Sequence, residues 1–486
     1  MSNLLAAAEE KLKSLPLDDL KGSSIFLNRI KDNPEAARYF LMYGDWGKFS
    51  PDSIFAECDA ETAEHTQVYV DFPFCPTVCN FCAFYPVIAK DYETKAAYVE
   101  SLKKEVGLLR RFYFDKGFSA ESLELGGGTP TYLPLDLLQD AVTTILEKIP
   151  FKEGEKNFET TPEAIVGDDG MAKLKFLKQA GFDRISIGAQ SFSDQVLKTA
   201  NRSHGSGHTY QALENARSVG FDRVNFDLLL GLLDQTTDDF IDSVEKSIKL
   251  EIDIIEIYTM RYFDTKKSVP LTATFLKQPH RFLTEHDQLV ARTAADILLR
   301  EAGYTSSNGR TYHKPVSGDD YYSEYYRENF KGSNILGIGR KSHSNIYPWQ
   351  YANYRNIDKY SAALDGDALP IAVGHKINAR EMFAKRLTGA LQLADDLDYD
   401  AIRRKSGTLA DEPLDGVMES FVSHGLMTKE SGAYRKTFTG FLFIEEMLKC
   451  VYDAAVTPFS IETEFLGKAQ DSERLVKLQG RAPAAT

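Results

Sequence analysis

Three cysteines carry the most specific chemistry in the chain. Cys75, Cys79 and Cys82 are spaced C-x3-C-x2-C within Tyr69-Val70-Asp71-Phe72-Pro73-Phe74-Cys75-Pro76-Thr77-Val78-Cys79-Asn80-Phe81-Cys82. Soft thiolates this close together select zinc or an iron–sulfur centre. A structural zinc ion takes four ligands, usually from two C-x2-C pairs or with two nearby histidines. Neither arrangement is present, and His65, the nearest histidine in sequence, precedes the string. Three thiolates on a four-iron cluster would instead leave one iron without a protein ligand, open to chelation by a substrate or cofactor. Phe81 offers an apolar wall beside that open corner. Three reduced buried thiols are the bland alternative, and Pro73, Pro76 and Asn80 argue against it by making the segment irregular and exposed. Cys58 and Cys450 stand alone and read as small buried hydrophobes or inert thiols. Five cysteines, an odd number without an export signal, do not suggest a disulfide framework.

Further polar groups recur at intervals downstream. Gly126-Gly127-Gly128-Thr129-Pro130 combines glycines, which let backbone approach a ligand and present amides, with a hydroxyl that adds a hydrogen bond. A plain tight turn is the competing reading. Glu159 precedes Pro162, and as a carboxylate it suits two hydroxyl donors or is simply a strand-end acid. Gln190 lies in Arg184-Ile185-Ser186-Ile187-Gly188-Ala189-Gln190-Ser191-Phe192, and its amide both donates and accepts. Asp227 sits in the apolar run Asn225-Phe226-Asp227-Leu228-Leu229-Leu230-Gly231-Leu232-Leu233. A lone acid in a buried strand is costly unless paired, so it is either a strand-end ligand or the partner of an arginine.

The elements that must position these groups alternate. Short β-branched or apolar runs at Gln67–Phe72, Ser122–Leu125, Asn157–Thr160, Arg184–Ile187, Arg223–Leu228 and Ile254–Tyr258 predict strands. Helical spacing over Tyr92–Phe112, Leu135–Ile149, Gly170–Gln179, Thr209–Val219 and Thr237–Leu250 predicts the crossovers between them. Strands joined by crossover helices are parallel, in an open sheet or a full or partial barrel, and chemistry then belongs at their carboxyl ends. Residues 283–302 read as one long helix, and 304–360, rich in Tyr, Asn, Gly and Ser, as loop-rich. Residues 377–456 read as amphipathic helices with a turn at Ser431–Ala433. The expected organisation is an N-terminal extension at 1–64, a barrel unit at 65–265, a loop-rich segment completing the site at 266–370, a helical cap at 371–460 and a tail at 461–486.

The cysteine string, with an aromatic before its last cysteine, resembles the signature of the radical S-adenosylmethionine (radical SAM) superfamily. The longer string Tyr69 to Phe84 is similar to a subgroup. That subgroup holds oxygen-independent coproporphyrinogen III dehydrogenase, its heme-chaperone relatives, and the class C radical SAM methyltransferases and cyclopropanases. The resemblance runs from about Gln67 to Asp453 and is most specific in its earlier part. It implies an α/β fold, a partial (βα)6 parallel barrel with an N-terminal extension and a mainly helical C-terminal domain. It also implies a four-iron four-sulfur cluster on Cys75, Cys79 and Cys82, with S-adenosylmethionine as cofactor beside Phe81. By the same resemblance Gly127, Gly128 and Thr129 hold the amino and carboxylate groups of that cofactor, and Glu159 takes a ribose hydroxyl. Gln190 matches a cofactor contact, Asp227 a cofactor-facing aspartate, and Arg202, in Asn201-Arg202-Ser203-His204, a fork onto the cofactor carboxylate. Leu233 stands where a proline is usual. Gly337-Ile338-Gly339-Arg340-Lys341-Ser342-His343-Ser344 resembles a segment packed below the site, with His343 structural.

The chemistry implied is one-electron cleavage of S-adenosylmethionine to a 5′-deoxyadenosyl radical, followed by hydrogen abstraction. A low-potential donor such as flavodoxin or ferredoxin would supply the electron. Coproporphyrinogen enzymes usually carry another cysteine where this chain has Phe84 and a histidine where it has Asp71, and heme chaperones generally lack an extension like residues 1–64. The closest pattern is therefore that of the class C enzymes, methyl transfer or cyclopropanation at an sp2 carbon using a second S-adenosylmethionine. Tyr69 and Thr129 would border that second molecule and Asp71 would shuttle a proton, unless Asp71 is a strand-end acid holding an arginine. Coproporphyrinogen III oxidative decarboxylation, heme chaperoning and heme-degrading methylation are the alternatives. The substrate is a small molecule, aromatic or tetrapyrrole in kind, with Tyr304, Tyr312, Tyr321, Tyr322, Tyr325 and Tyr326 as a candidate wall.

Composition excludes several other classes. With 57 Lys+Arg against 71 Asp+Glu the net charge is −14, which repels phosphate backbones and disfavours nucleic-acid binding. At 43% hydrophobic and 26% charged, the chain has material for a large core and is not disordered or fibrous. No apolar run approaches the ~20 residues of a membrane span, and Met1 to Leu20 lacks a secretory pattern, so the expected location is cytoplasmic.

Overall fold

The computed structural model describes residues 2–18, 51–57, 66–82, 84–260, 270–315, 323–407, 412–430 and 432–455. Six strands run parallel side by side: β1 (Thr66–Phe72), β2 (Ala120–Gly127), β3 (Lys156–Thr160), β4 (Arg184–Gln190), β5 (Arg223–Leu230) and β6 (Ile254–Thr259). These are the strands read from the sequence, each slightly longer. The crossover helices are Tyr92–Phe112, Leu135–Lys148, Gly167–Gln179, Ser206–Val219 and Thr237–Lys249. Two of these starts are set by short polar caps: Asp91 accepts from the Thr94 amide at 2.8 Å, and Thr236 from the Asp239 amide at 3.1 Å.

The period of two along each strand sorts the sheet into two chemistries. Val68, Val70 and Phe72 on β1, like Ile185 and Ile187 on β4, are fully buried beneath the helices. Each such side chain stabilises the fold by roughly 1.5–3 kcal/mol relative to exposure. The opposite face is polar. There Asn157 donates to Glu124 at 2.6 Å and Asn225 to Ser186 at 2.6 Å, joining neighbouring strands through side chains rather than apolar packing.

The sheet continues beyond the six units, with eleven strands in all among the described residues. β1 pairs on its other side with parallel β8 (Asn334–Ile338), followed by antiparallel β9 (His343–Ile346), β10 (Trp349–Asn353) and β11 (Ile371–Lys376). Antiparallel β7 (Thr311–His313) covers the β6 edge. Edge strands β7 and β11 do not meet, so the barrel is partial and open. The loop-rich reading of 304–360 is corrected: that stretch holds β7 to β10, whose three to five residues each are too short to show a period.

Towards the C-terminus the helices Ala379–Leu393, Tyr399–Lys405, Glu412–Ser423 and Ile444–Ala455 surround a small antiparallel sheet of β12 (Asp396–Leu397), β13 (Met427–Glu430) and β14 (Ala433–Lys436). One apolar core runs from the barrel shell into these helices. The N-terminal helix Ser2–Lys13 packs on Glu285–Glu301, where Lys11 Nζ lies 3.6 Å from Asp296. No helix among the described residues is long and apolar enough to cross a membrane.

Candidate functional site

The cysteines sit where β1 delivers them, on a loop at its carboxyl end. The neck of that loop is closed by Val87, whose amide donates to Pro73 at 2.7 Å and whose carbonyl accepts from Cys75 at 3.2 Å. Its tip is fastened to the segment after β4. The Asn80 side chain donates to the Thr199 carbonyl at 2.9 Å, the Asn80 amide to Ala200 at 3.1 Å, and Asn201 back to Val78 at 2.7 Å.

Each sulfur has a polar neighbour. Cys75 Sγ lies 3.5 Å from the Thr129 hydroxyl, Cys79 Sγ accepts from Arg202 Nη1 at 3.2 Å, and Cys82 Sγ accepts from the Phe84 amide at 3.4 Å. Burial pushes the Cys75 thiol up to about 12 and raises Cys82, so thiolates here require compensating positive charge such as iron. Among the described residues no three His, Cys, Asp or Glu side chains converge on one metal ion. A cluster takes one thiolate per iron, and three cysteines on one loop are a donor set that suits it. Phe81 is partly buried in a small apolar group with Val196, Ala200, Leu229 and Leu271.

The glycine run braces the loop. Gly128 donates to the Phe72 carbonyl at 2.7 Å and Thr129 to Phe74 at 2.9 Å, while the Gly127 amide reaches Glu159 at 3.3 Å. The amides that the motif was expected to present to a ligand are instead engaged within the chain, and the glycines serve close approach. A Cβ at Gly126 would lie 2.8 Å from a Glu159 oxygen and 2.9 Å from the Tyr69 hydroxyl, so this glycine, which the motif reading did not single out, makes room for both.

Tyr69, Glu159, Gln190 and Asp227 share the polar face of the sheet, and Glu159 acts electrostatically on both Tyr69 and Asp227, so these residues border one half-buried recess. Burial holds Glu159 up at about 7 and Asp227 at about 8. Asp227 is bonded to Asn225 Nδ2 at 2.8 Å, so its partner is an amide and not an arginine. Gln190 has φ 64, a left-handed backbone that a non-glycine residue adopts under strain, and its buried Oε1 has no partner. Arg202 also donates from Nη2 to the Gly188 carbonyl at 2.9 Å, which leaves its buried Nε without a partner.

Some residues fall elsewhere. Asp71 is fully buried and faces Arg340 at 3.9 Å and Lys341 at 3.7 Å. Tyr304 donates to the Ile252 carbonyl and Tyr312 to Asp296 at 3.2 Å, both away from the recess, so the six tyrosines do not form one wall. Tyr325 and Tyr326 do lie near the recess, where they act electrostatically on Tyr69 and with Tyr258. Tyr321 and Tyr322 lie outside the described residues, as do His65 and Cys58. His343 opens β9, close enough under Gly337 that a Cβ there would meet its carbonyl at 2.3 Å, a structural placement. Glu124 and Glu256, both buried in mid-strand on the polar face, were missed, although alternations such as Ser122-Leu123-Glu124-Leu125 signal them.

Residues 69–246 match the family model of the radical SAM superfamily. Proteins named oxygen-independent coproporphyrinogen III oxidase are similar over most of the chain. That of Pseudomonas aeruginosa is 26% identical over 73% of this chain and 78% of its own, and that of Synechocystis 28% over 70% and 72%. That of Helicobacter pylori strain J99 is 26% identical over 78% and 84%. The structure of the radical SAM enzyme coproporphyrinogen III oxidase from Escherichia coli superposes with a TM-score of 0.73 at 21% identity, covering 87% of this chain and 99% of that one, and so shares the fold. Residues 69–246 therefore carry a radical SAM domain, and the chain is similar over most of its length to oxygen-independent coproporphyrinogen III oxidases.

Proposed function

We propose that this radical SAM enzyme acts on a tetrapyrrole of the coproporphyrinogen type, removing propionate carboxyl groups by oxygen-independent oxidation. The observation that carries the reading is the reach of the likeness. Relatives named for that activity match at 26–28% identity through 70–78% of the chain. This displaces class C alkylation as the leading reading. A cluster on Cys75, Cys79 and Cys82 would supply the single electron that breaks a carbon–sulfur bond of S-adenosylmethionine.

The chain's own groups bind and orient. The partnerless Nε of Arg202 is available to a carboxylate and the Gln190 side-chain Oε1 to a hydroxyl or amine donor. Glu159 and Asp227, which already accept from the Gly127 amide and Asn225, have further lone pairs to offer such donors. The Thr129 hydroxyl is turned to Cys75, which leaves Tyr69 as the member of that pair open to a second S-adenosylmethionine. The electron would come from a low-potential flavodoxin or ferredoxin.

A second reading, methyl transfer or cyclopropanation, is kept by Phe84. It is 52% exposed beside Cys82 at the position where coproporphyrinogen enzymes usually carry another cysteine. Anaerobic turnover with coproporphyrinogen III, S-adenosylmethionine and dithionite separates the readings. Carbon dioxide released together with 5′-deoxyadenosine supports decarboxylation. S-adenosylhomocysteine with a methylated product supports alkylation, and tight stoichiometric heme binding with neither product supports a heme chaperone.

A further inference from the structure

Two cations from outside the six βα units reach the cysteine loop. β8 ends at Ile338, and Gly339, at φ +100, turns the chain into Arg340 and Lys341. Beside this turn stands Asp71, at 0% exposure, with no hydrogen-bond partner on either carboxylate oxygen. Its Oδ2 lies 3.9 Å from Arg340 Nε and its Oδ1 3.7 Å from Lys341 Nζ. The space it occupies is cleared by two left-handed glycines. A Cβ at Gly127 would lie 2.2 Å from Oδ1, and one at Gly339 would lie 3.2 Å from the Asp71 Cβ.

The same cations hold the chain just after Cys82. Lys341 Nζ donates to the Phe84 carbonyl and Arg340 Nη2 to the Tyr85 carbonyl. The Phe84 amide in turn donates to Cys82 Sγ at 3.4 Å. Behind the turn, Glu105 accepts from the Gly339 amide at 2.7 Å, from Asn353 at 2.6 Å and from Tyr360 at 2.6 Å. Tyr98 donates to the Asp71 carbonyl at 2.6 Å and accepts from the Arg340 amide at 3.2 Å. The position of both charges is thus fixed by β1, the helix Tyr92–Phe112 and the β8–β9 turn together.

We propose that Lys341 and Arg340 are counter-charges to the cluster on Cys75, Cys79 and Cys82, that Asp71 opposes them, and that this triad sets the cluster's midpoint potential. The inference rests on the cluster reading of the three cysteines. Reduction brings one electron and one negative charge to the site, with no bond made or broken. A cation held close by in a low dielectric favours that step and an anion disfavours it, both more strongly than in water. The two cations are positioning residues for the loop as well, so the test must separate charge from packing.

The test is an anaerobic redox titration of the reconstituted full-length protein with dithionite, read by electron paramagnetic resonance, with iron and sulfide measured on each sample. Lys341→Met makes the cluster about tenfold harder to reduce, a shift of about 59 mV to more negative potential for one electron. Asp71→Asn, which keeps the shape between the two glycines, shifts the potential the opposite way, and Lys341→Arg stays near wild type. Unchanged potentials, or shifts of the same sign in Lys341→Met and Asp71→Asn, overturn the proposal. If Lys341→Met takes up no iron, Asp71→Asn decides alone, and an unchanged or more negative potential there overturns it. A wild-type protein that takes up no iron overturns the cluster reading, and the triad with it.

Discussion

Arg202 and Cys79 are joined by a hydrogen bond of 3.2 Å from Nη1 to Sγ, while Nη2 of the same guanidinium holds the Gly188 carbonyl at 2.9 Å. One side chain therefore ties the β4 end to the cysteine loop while its buried Nε has no hydrogen-bond partner. Hydrogen bonds to charged groups contribute about 1.5–3 kcal/mol. Arg202→Ala is expected to weaken S-adenosylmethionine binding about 10- to 100-fold, measured by anaerobic equilibrium binding to the reconstituted protein. Arg202→Lys recovers only part of this, because one ammonium does not reproduce a three-way fork. Binding by Arg202→Ala within threefold of wild type contradicts the assignment.

Gly127 and Gly167 provide a matched pair. Both have left-handed backbones, with φ +99 and φ +71, but a Cβ at Gly127 meets Asp71 at 2.2 Å whereas one at Gly167 has nothing within 4 Å. Gly167→Ala should lose about 1–2 kcal/mol of stability from backbone strain alone. Gly127→Ala adds an overpacking cost of about 1–3 kcal/mol. Urea denaturation of both variants gives the comparison, and equal losses would show that the space around Asp71 is not tightly filled.

Glu105 links pH to stability. Burial raises it from 4.5 to about 7, against the pull of Tyr360, Gly339 and Asn353. The folded protein holds this proton more tightly than the unfolded chain, so the contribution is full below about pH 4.5 and is lost as pH rises through about 7. Glu105→Gln lacks that term. The stability difference between wild type and Glu105→Gln should therefore shrink by up to about 3 kcal/mol from pH 5 to pH 8. A difference independent of pH places the Glu105 proton elsewhere.

What the sequence disclosed depended on how local the signal was. Cys75, Cys79 and Cys82 lie within one loop, Glu159 and Gln190 stand at the ends of strands whose own pattern is visible, and Asp227 stands out as the lone acid within one. The six parallel strands and their crossovers followed from the same short-range periodicity. Glu124 and Glu256 are harder to see because they lie inside short apolar runs, and a polar sheet face shows itself only in alternate residues. Arg340 and Lys341 were hidden for a different reason. Their position depends on β8 pairing with β1 and on Glu105, which is 234 residues away from Gly339 in the chain. The short strands from β7 to β11 gain their stability from neighbours in the sheet and not from their own propensity.

The decisive measurement is iron, sulfide and 5′-deoxyadenosine in anaerobically reconstituted protein, compared with a variant in which Cys75, Cys79 and Cys82 are all alanine. The expected result is about four irons per chain, as a four-iron cluster requires, and 5′-deoxyadenosine formed from S-adenosylmethionine on reduction, with both lost in the variant. Wild-type protein without iron, or a triple-alanine variant that still cleaves S-adenosylmethionine, would contradict the assignment of these three thiols.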